Sequence, residues 1–496
     1  MLRSRSLACV MCPWLALAAA LLILAFSSPK VSAQKQVSFI KDVAPILEKN
    51  CFSCHDAKTK KGKFDMTTYE NFRKGGRNDD PVMPGMPRIS YLMDVLTAKD
   101  NSRMPPKDVG KALPKEQIAL IETWIKQGAK LDKGIDKSAS LRLELRKRWQ
   151  PPALLTSYER PALITAIAFT PDSKKIITTG YHELLVWDAE SGKLEKRIHT
   201  RAERGHDLQF LKDGTLAVAG GRPGQEGDLR VYNINAKPKS TKDGVAILDG
   251  VNDKNVMVAE LLQTDDELLT VDVNDKGDRL ATAGCDRLIR IWDISKGVTK
   301  AKLLEKVENH ADWVLSVNFS ADGNYLVTAS RDKSAKVWDL KSKESLVTFP
   351  SHGDYVWGAL MTIDGKQGIS VGNDRQIRYW DTVKKSKNLG KQKRATTAHG
   401  KPVFKLVEHR EGKTHLLATC GADGVVKTWD GNNGKTLKTF GGFKDWVYSV
   451  AISPDGQRIA AGGYTGNVKV WTTKDAKVLS EFNASPGIQT AKAANP

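Results

Sequence analysis

A Trp-Asp pair recurs at the end of short apolar segments in the C-terminal part of the chain, and this repeat constrains the fold most. Five copies end in Trp-Asp, and two degenerate copies bring the count to seven. Successive aromatic positions lie 45, 60, 46, 42, 49 and 42 residues apart, and most of these spacings suit a four-stranded propeller blade. The aromatic positions are Trp187, Tyr232, Trp292, Trp338, Trp380, Trp429 and Trp471.

The fourth repeat shows what one unit contains. "WVLSVNFS" alternates apolar and polar residues, "NYLVTAS" reads as a buried strand, and "SAKVWDL" and "ESLVTF" supply two more strands. Turns at "ADG" and "RDK" separate the first three strands. The stretch resembles the WD-repeat family, and the resemblance implies an all-β, seven-bladed propeller over residues 159–482.

Histidines and aspartates recur at fixed places in three of these units. The WD-repeat resemblance implies a buried hydrogen-bond network that runs from His through Asp toward Trp, so we expect these residues to be structural rather than catalytic. The other four blades lack part of the set and are expected to be held mainly by packing. Cys285 and Cys420 are interpreted as buried small hydrophobic residues. The network residues are His310, His352, His399, Asp332, Asp374 and Asp423.

Two features of the propeller stay open at this point. The long gap before Trp292 predicts an insertion near residues 249–264, as a loop or an extra hairpin on one face. Ring closure has two candidates, because either "ALLTSYERP" or "AKVLSEF" could form the outer strand of the last blade.

The first residues of the chain predict export. Arg3 and Arg5 precede an apolar run, and Val31-Ser32-Ala33 supplies the small residues of a cleavage site, so residues 1–33 are predicted to be a signal peptide. The expected location is the bacterial periplasm or cell envelope; an uncleaved segment would instead be a membrane anchor. The net charge of +20 alone would suggest nucleic acid, but export argues against that partner.

A different domain is predicted between the signal and the propeller. Residues 34–135 contain an apolar-faced helix running to Asn50, a short helix near Ser90–Thr97 and a helix over Pro114–Gly128, joined by long loops. We expect an all-α domain built around one large buried group. Residues 136–158 are predicted to be a helical linker, and residues 483–496 a disordered tail.

The motif "CFSCH" carries the strongest functional signal. Cys51 and Cys54 stand three apart near a helix end, where both sulfurs can form thioethers to a haem, and His55 can then reach the iron. Zinc would need further ligands nearby, a thioredoxin-type pair would open a helix, and a plain disulfide leaves His55 unexplained. "CVMCP", at Cys9 and Cys12, shares the spacing but lacks the histidine.

A methionine is predicted as the second axial ligand. Met104 ranks first because Met-Pro-Pro makes a stiff extended loop, with Met83 and Met86 in reserve. "CFSCH", "SRMPPK" and "EQIALIETWIKQGA" resemble class I cytochrome c, and more closely the planctomycete-type cytochrome c domain. The resemblance implies His55 and Met104 as the axial ligands of one covalent haem c. All candidate methionines are Met66, Met83, Met86, Met93 and Met104.

The expected function is electron transfer, with the propeller as a docking scaffold for other envelope proteins and with an unidentified redox partner. His/Met ligation leaves no open iron position, so we expect an electron carrier rather than an enzyme. Alternatives are an oxidoreductase with substrate at the propeller and a haem-based redox sensor. The lysines after the motif either steer an acidic partner or form a solvated loop; they are Lys58, Lys60, Lys61 and Lys63.

Overall fold

The computed structural model describes residues 36–488. The chain divides into two compact units, Met1–Trp149 and Gln150–Pro496. Within the described range, no helix is long and apolar enough to cross a membrane. The predicted signal peptide, with Cys9 and Cys12, lies outside the described residues.

Aromatic side chains form the centre of the helical unit. The ring of Phe39 lies 5.1 Å from that of Trp124 and 6.0 Å from that of Phe72, and all three are buried. The predicted helices are present, the first of them entered through a π-helical turn, Phe39–Val43. The helices are α1 (Ala44–Asn50), α2 (Tyr69–Lys74), α3 (Tyr91–Thr97), α4 (Lys115–Lys126) and α5 (Leu141–Arg148).

Helix α2 lies where the sequence analysis predicted only a long loop. The Thr68 hydroxyl caps it by accepting the Asn71 amide at 3.0 Å, and Phe72 anchors it in the core. A helix this short is stabilised by packing more than by propensity. Thr68 followed by a single aromatic residue is too weak a signal to predict it.

Helix α5 packs into the helical unit, although the sequence assigned residues 136–158 to a linker. Leu141 is 1% exposed within the core of this unit. Its amide donates to the Thr67 carbonyl at 2.8 Å, and Thr68 and Ser140 form an antiparallel bridge. The first unit therefore extends to Trp149.

The second unit is a seven-bladed propeller, as the repeats predict, with seven sheets whose first strands adjoin one another around the ring. The blades, in order, are β1–β4 (Ile167–Phe169, Lys175–Thr179, Glu183–Asp188, Leu194–His199), β5–β7 with β10 (Arg204–Phe210, Leu216–Arg222, Glu226–Tyr232, Met257–Thr264), β11–β14 (Leu268–Val273, Arg279–Gly284, Leu288–Asp293, Lys302–Glu308), β15–β18 (Val314–Phe319, Tyr325–Ser330, Ala335–Asp339, Glu344–Phe349), β19–β22 (Val356–Met361, Gln367–Gly372, Gln376–Asp381, Gln392–Thr397), β23–β26 (Val403–Glu411, Thr414–Gly421, Val426–Asp430, Thr436–Phe440) and β27–β30 (Val447–Ile452, Arg458–Gly463, Asn467–Thr472, Val478–Asn483).

The last blade supplies its own outer strand, β30, so "AKVLSEF" is the strand and "ALLTSYERP" lies outside the sheet. The segment before β1 fastens the ring: the Tyr158 amide donates to the Pro486 carbonyl at 3.1 Å, and the Ala162 amide to the Ser485 hydroxyl at 2.8 Å. The tail predicted to be disordered from residue 483 is thus packed and hydrogen-bonded through Gly487. Residues 489–496 lie outside the described range.

The insertion is an extra hairpin, but the predicted position, 249–264, is wrong. Strands β8 (Ser240–Lys242) and β9 (Val245–Asp249) form it, and β9 pairs in parallel with β4 of the first blade. Residues 257–264 are instead the regular outer strand β10 of the second blade. The insertion therefore widens the first blade to six strands.

The predicted His–Asp networks are present in blades four, five and six. In blade five the Trp380 indole donates to the Ser370 hydroxyl at 3.2 Å, Ser370 lies 2.7 Å from His352 Nε2, and His352 Nδ1 lies 2.9 Å from the Asp374 carboxylate. Because the carboxylate can only accept, the Nδ1 proton is donated to it. The equivalent sets are His310, Thr328, Asp332 and Trp338, and His399, Thr419, Asp423 and Trp429.

Blades one and two, which lack the complete His–Asp set, contain buried ion pairs in addition to their apolar packing. In blade one, buried Glu183 accepts from Arg197 Nε at 2.6 Å and from the Tyr158 hydroxyl at 2.6 Å. In blade two, buried Glu226 lies 3.1 Å from Arg222 Nε. Among the described residues, these ion pairs do not recur at equivalent positions of the other repeats, so the sequence repeat did not predict them. Cys285 and Cys420 are buried and unbonded, as expected, and burial raises the pKa of both thiols.

The placement of α5 can be tested by truncating one leucine. Leu141→Ala should destabilise the helical unit by about 2–4 kcal/mol, because it removes a buried side chain. Leu143→Ala is the matched control on the same helix, since Leu143 is 42% exposed, and it should change stability by less than about 0.5 kcal/mol. Pulse proteolysis along a urea titration, with fragments identified by mass, measures both. Equal effects would place α5 outside the core.

The blade-five network predicts a pH-dependent stability. Burial would raise the pKa of Asp374, but the hydrogen bond and charge of His352 outweigh it and lower that pKa from 3.8 to about 2. Since the folded pKa is the lower one, the stabilisation is present above pH 3.8 and is lost as pH falls toward 2. Asp374→Asn should cost about 1–3 kcal/mol at neutral pH and flatten the acid limb of stability measured by urea unfolding.

Asp243→Asn is the matched control for that experiment. Asp243 is exposed in the turn of the extra hairpin, at φ 51°, where asparagine is well tolerated. This variant should keep the acid limb of the parent protein. An unchanged acid limb in Asp374→Asn would contradict the assigned role of the carboxylate.

Candidate cofactor site

The end of α1 brings the motif residues to one side of the chain. The Cys51 amide donates to the Leu47 carbonyl at 2.8 Å, so the cysteine caps the helix. The amides of Cys54 and His55 both donate to the Cys51 carbonyl, at 3.1 and 3.0 Å. These hydrogen bonds continue the backbone path of the helix by one turn. Residues three and four apart on such a turn share a face, so Cys54 and His55 lie on the same side as Cys51.

Both cysteines and the histidine line one cavity of about 450 Å³, together with Met104. Its walls are mostly apolar, and the first long loop, α3 and the Met104 loop all contribute to them. A concave, largely apolar site with a few polar groups is typical of cofactor binding. The apolar wall includes Phe64, Met66, Pro81, Leu92, Val95, Leu96, Pro105, Pro106 and Val109.

The imidazole of His55 is oriented by a backbone group. Its Nδ1 lies 3.0 Å from the Lys61 carbonyl, and because a carbonyl only accepts, Nδ1 carries the proton and Nε2 keeps its lone pair. Burial also lowers the pKa of His55, which favours the neutral ring. This is the orientation that ligating histidines use, with one nitrogen held by a carbonyl and the other able to bind a metal.

The structure separates the candidate methionines. Met104 and Met66 line the cavity, whereas Met83 and Met86 do not and are 48% and 56% exposed. Met93 packs in the core. The reserve choice of Met83 or Met86 is therefore not placed at the cavity.

Met104 is held close to α3, because its amide donates to the Val95 carbonyl at 2.9 Å. The loop bends at Met104 and Pro105 rather than running extended as expected. Met66 is fixed from the other direction, since its amide donates to the His55 carbonyl at 2.8 Å. Two thioethers thus reach one cavity, and Met66 was the weaker sequence signal because no proline flanks it.

The alternatives to a haem site find little support in this geometry. Within residues 36–488, no three His, Cys, Asp or Glu side chains converge as ligands of one metal ion, so Cys51, Cys54 and His55 do not form a zinc cluster. No disulfide joins the two cysteines. Burial, followed by the neighbouring Cys54, raises the pKa of Cys51 to about 12, which disfavours the thiolate that a redox pair needs.

Two basic side chains line the cavity, and exposed lysines follow the motif along the chain. The four lysines singled out by sequence, Lys58, Lys60, Lys61 and Lys63, are all exposed. Lys61 lines the cavity, and so does Arg77, which the sequence reasoning missed. Arg77 is brought there by its amide, which donates to the Gly62 carbonyl at 3.1 Å.

Comparison with known families matches each unit separately. The profile of the family described as planctomycete cytochrome C matches residues 51–108. The WD domain, G-beta repeat profile matches residues 258–293, 301–339, 390–430 and 434–472. The structure shows seven blades, more than the four ranges that this profile matches.

Similarity to curated proteins is confined to short stretches. Protein groucho of Drosophila melanogaster is 31% identical over 70 residues, 14% of this chain and 10% of groucho. Small ribosomal subunit protein RACK1 of Neurospora crassa is 32% identical over 73 residues, 15% of this chain and 23% of RACK1. Nuclear distribution protein PAC1 of Coccidioides posadasii is 26% identical over 191 residues, 37% of each chain. The chain thus spans 10% to 37% of the length of these relatives.

Proposed function

We propose that this protein is an exported electron carrier, in which the helical unit holds one covalent haem c and the propeller docks other proteins. The observation that carries the proposal is that Cys51, Cys54, His55 and Met104 line a single cavity. Thioether-forming cysteines, an imidazole and a methionine thioether are together the donor set of a c-type cytochrome.

The residues fit a haem in several respects. Cys51 and Cys54 would form the thioether bonds, and His55 Nε2 and the Met104 thioether would bind the iron. The apolar wall around Leu92 and Leu96 suits a porphyrin face. A haem bound this way supplies one-electron transfer, and the protein's part is to fix both axial ligands and exclude water from the ring.

Export is part of the same proposal, and the first residues of the chain support it. Covalent haem attachment through a Cys-x-x-Cys-His motif and an apolar leader with Val31-Ser32-Ala33 at its end both suit an envelope protein. The proposed location is therefore the bacterial periplasm or cell envelope. The profile match at residues 51–108 supports the haem domain.

A docking role is the best-supported function for the propeller. WD-repeat profiles match four of its blades, and the histidines of blades four to six are engaged in the structural networks described above. Those side chains are thus not available as catalytic groups or ligands. The partners remain to be identified, and we propose at least one redox partner of the haem domain among them.

Absorbance spectroscopy on the protein purified from a haem-loading host tests the haem site. The parent should give a reduced c-type spectrum and, when oxidised, a sulfur-to-iron band. Met104→Ala should abolish that band, because Met104 lines the cavity. Met83→Ala is the matched control: Met83 also precedes a proline and is exposed, and it should leave the band unchanged.

Two results would count against the site. Persistence of the band in Met104→Ala and its loss in Met66→Ala would assign the ligand to Met66 instead. Retention of covalent haem in the Cys51→Ser, Cys54→Ser double variant, judged by haem stain after denaturing electrophoresis, would remove the proposed attachment altogether.

The role of the exposed lysines that follow the motif can be tested by charge reversal. Replacing Lys58, Lys60 and Lys63 with glutamate should slow electron exchange with an acidic redox protein at low ionic strength and reverse this loop's contribution to the salt dependence, because attraction through a screened field becomes repulsion. Stopped-flow reduction across a salt series measures both. Reversal of Lys384, Lys385 and Lys387 on the propeller is the control. Salt-independent rates in the parent would show that this loop is only solvated.

A further inference from the structure

Three blades place an acidic and an aromatic residue at the same point just before their first strand. These pairs are Asp312-Trp313, Asp354-Tyr355 and Asp445-Trp446, and in each the carboxylate accepts the next amide at 2.7 Å. The aromatic carbonyl in turn accepts an amide from the residue after the second strand, at 2.9–3.0 Å. Those amides belong to Arg331, Asn373 and Tyr464.

In blade four the residue after the second strand is Arg331, and its side chain lies against the Asp312-Trp313 pair. The Arg331 guanidinium carbon lies 4.3 Å from the centre of the Trp313 ring and 5.3 Å from that of Tyr355. Its Nε lies 3.1 Å from the Asp312 carboxylate. Aromatic faces and a carboxylate thus bind one guanidinium together, by cation–π attraction and an ion pair.

Blade seven keeps the acid and the indole but replaces the arginine. Tyr464 stands where Arg331 stands in blade four, beside Asp445 and Trp446. The rings of Trp446, Tyr448 and Tyr464 form a triangle, with centres 6.0, 6.1 and 6.2 Å apart. In the part of the chain that the structure describes, no basic side chain forms an ion pair with Asp445.

This aromatic surface is open to solvent. Trp446 is 42% and Tyr464 51% exposed. The aromatic surface continues to Phe404, whose side chain stacks on that of Tyr448 with a distance of 4.7 Å between the ring centres. Burial, followed by the nearby Tyr464 and Asp445, raises the pKa of Tyr448. An exposed aromatic triangle with a carboxylate is complementary to a cation.

We infer that Asp445, Trp446, Tyr448 and Tyr464 bind an arginine side chain of a partner protein, in the way that blade four binds its own Arg331. The inference rests on the proposed docking role of the propeller and not on the haem. A protein-borne arginine suits the site better than a free small molecule, because rings this exposed bury too little of a small ligand. Trp, Tyr and Arg are also the side chains that most often dominate protein interfaces.

Fluorine NMR of the full chain labelled with 5-fluorotryptophan provides the test, with the Trp446 signal assigned from Trp446→Phe. The probe is the peptide acetyl-Gly-Arg-Gly-amide, at constant ionic strength. The Trp446 signal should shift saturably, with a dissociation constant on the order of 1 mM or weaker. The norleucine analogue of the peptide should cause no saturable shift.

The repeated architecture supplies matched variants. Tyr464→Arg gives blade seven the arginine that blade four already has at this position. The new arginine side chain should occupy the site and weaken peptide binding at least about fivefold. Asp445→Asn keeps an oxygen for the Trp446 amide but removes the charge, and it should weaken binding as well. Arg331→Tyr should free the equivalent position in blade four for the peptide. The Trp313 signal should then also shift saturably, because blade four has become a second binding site. Circular dichroism confirms that each variant is folded.

Several outcomes would overturn the inference. Equal binding of the norleucine peptide would reduce the site to an apolar patch, and equal binding of methylguanidine would assign it to free small cations. Unchanged binding in Tyr464→Arg would place the peptide elsewhere. If an envelope protein identified by affinity capture binds the parent and Tyr464→Arg equally, the docking role survives and this site does not carry it.

Discussion

Every blade of the propeller has two faces that only neighbouring blades can cover, so closure of the ring is the constraint on which the rest depends. The first strands adjoin in sequence, and β1 lies against β27 to complete the circle. Many propellers close by mixing strands from both chain ends in one blade, but here β30 belongs to the last blade and the segment before β1 holds it from outside. The final residues of the described chain are thus ordered because they close the ring.

The sequence predicted the repeated part of this unit well, because repetition multiplies a weak signal. The number of blades and the order of strands within each follow from residues that recur at a fixed spacing, and the resemblance to WD-repeat proteins implied the His–Asp networks. The parts that do not repeat were missed. Residues 240–249 form a hairpin that pairs with another blade's edge, and Glu183 and Arg197 form an ion pair that no spacing marks. Such pairings depend on tertiary neighbours that a single sequence does not display.

In the helical unit, too, some features were predicted from the sequence and others were missed. Helix α4 follows from apolar periodicity and from Pro114 and Gly128 at its ends, and Cys51, Cys54, His55 and Met104 were all named from the sequence. Arg77 was not, because its place at the cavity comes from a backbone hydrogen bond to Gly62. Helix α5 was predicted to be part of a linker because most of its residues are charged, although Leu141 and Leu145 pack against the core.

Repeats also act as internal controls for function. Blade four and blade seven share a backbone, an aspartate and a tryptophan, yet only blade four supplies its own cation. A position that is filled from within in one repeat and left open to solvent in another differs in what it can bind, although the fold around it is the same. Because closure fixes the geometry of every blade, such a single exchange, Arg331 against Tyr464, changes surface chemistry without disturbing the ring.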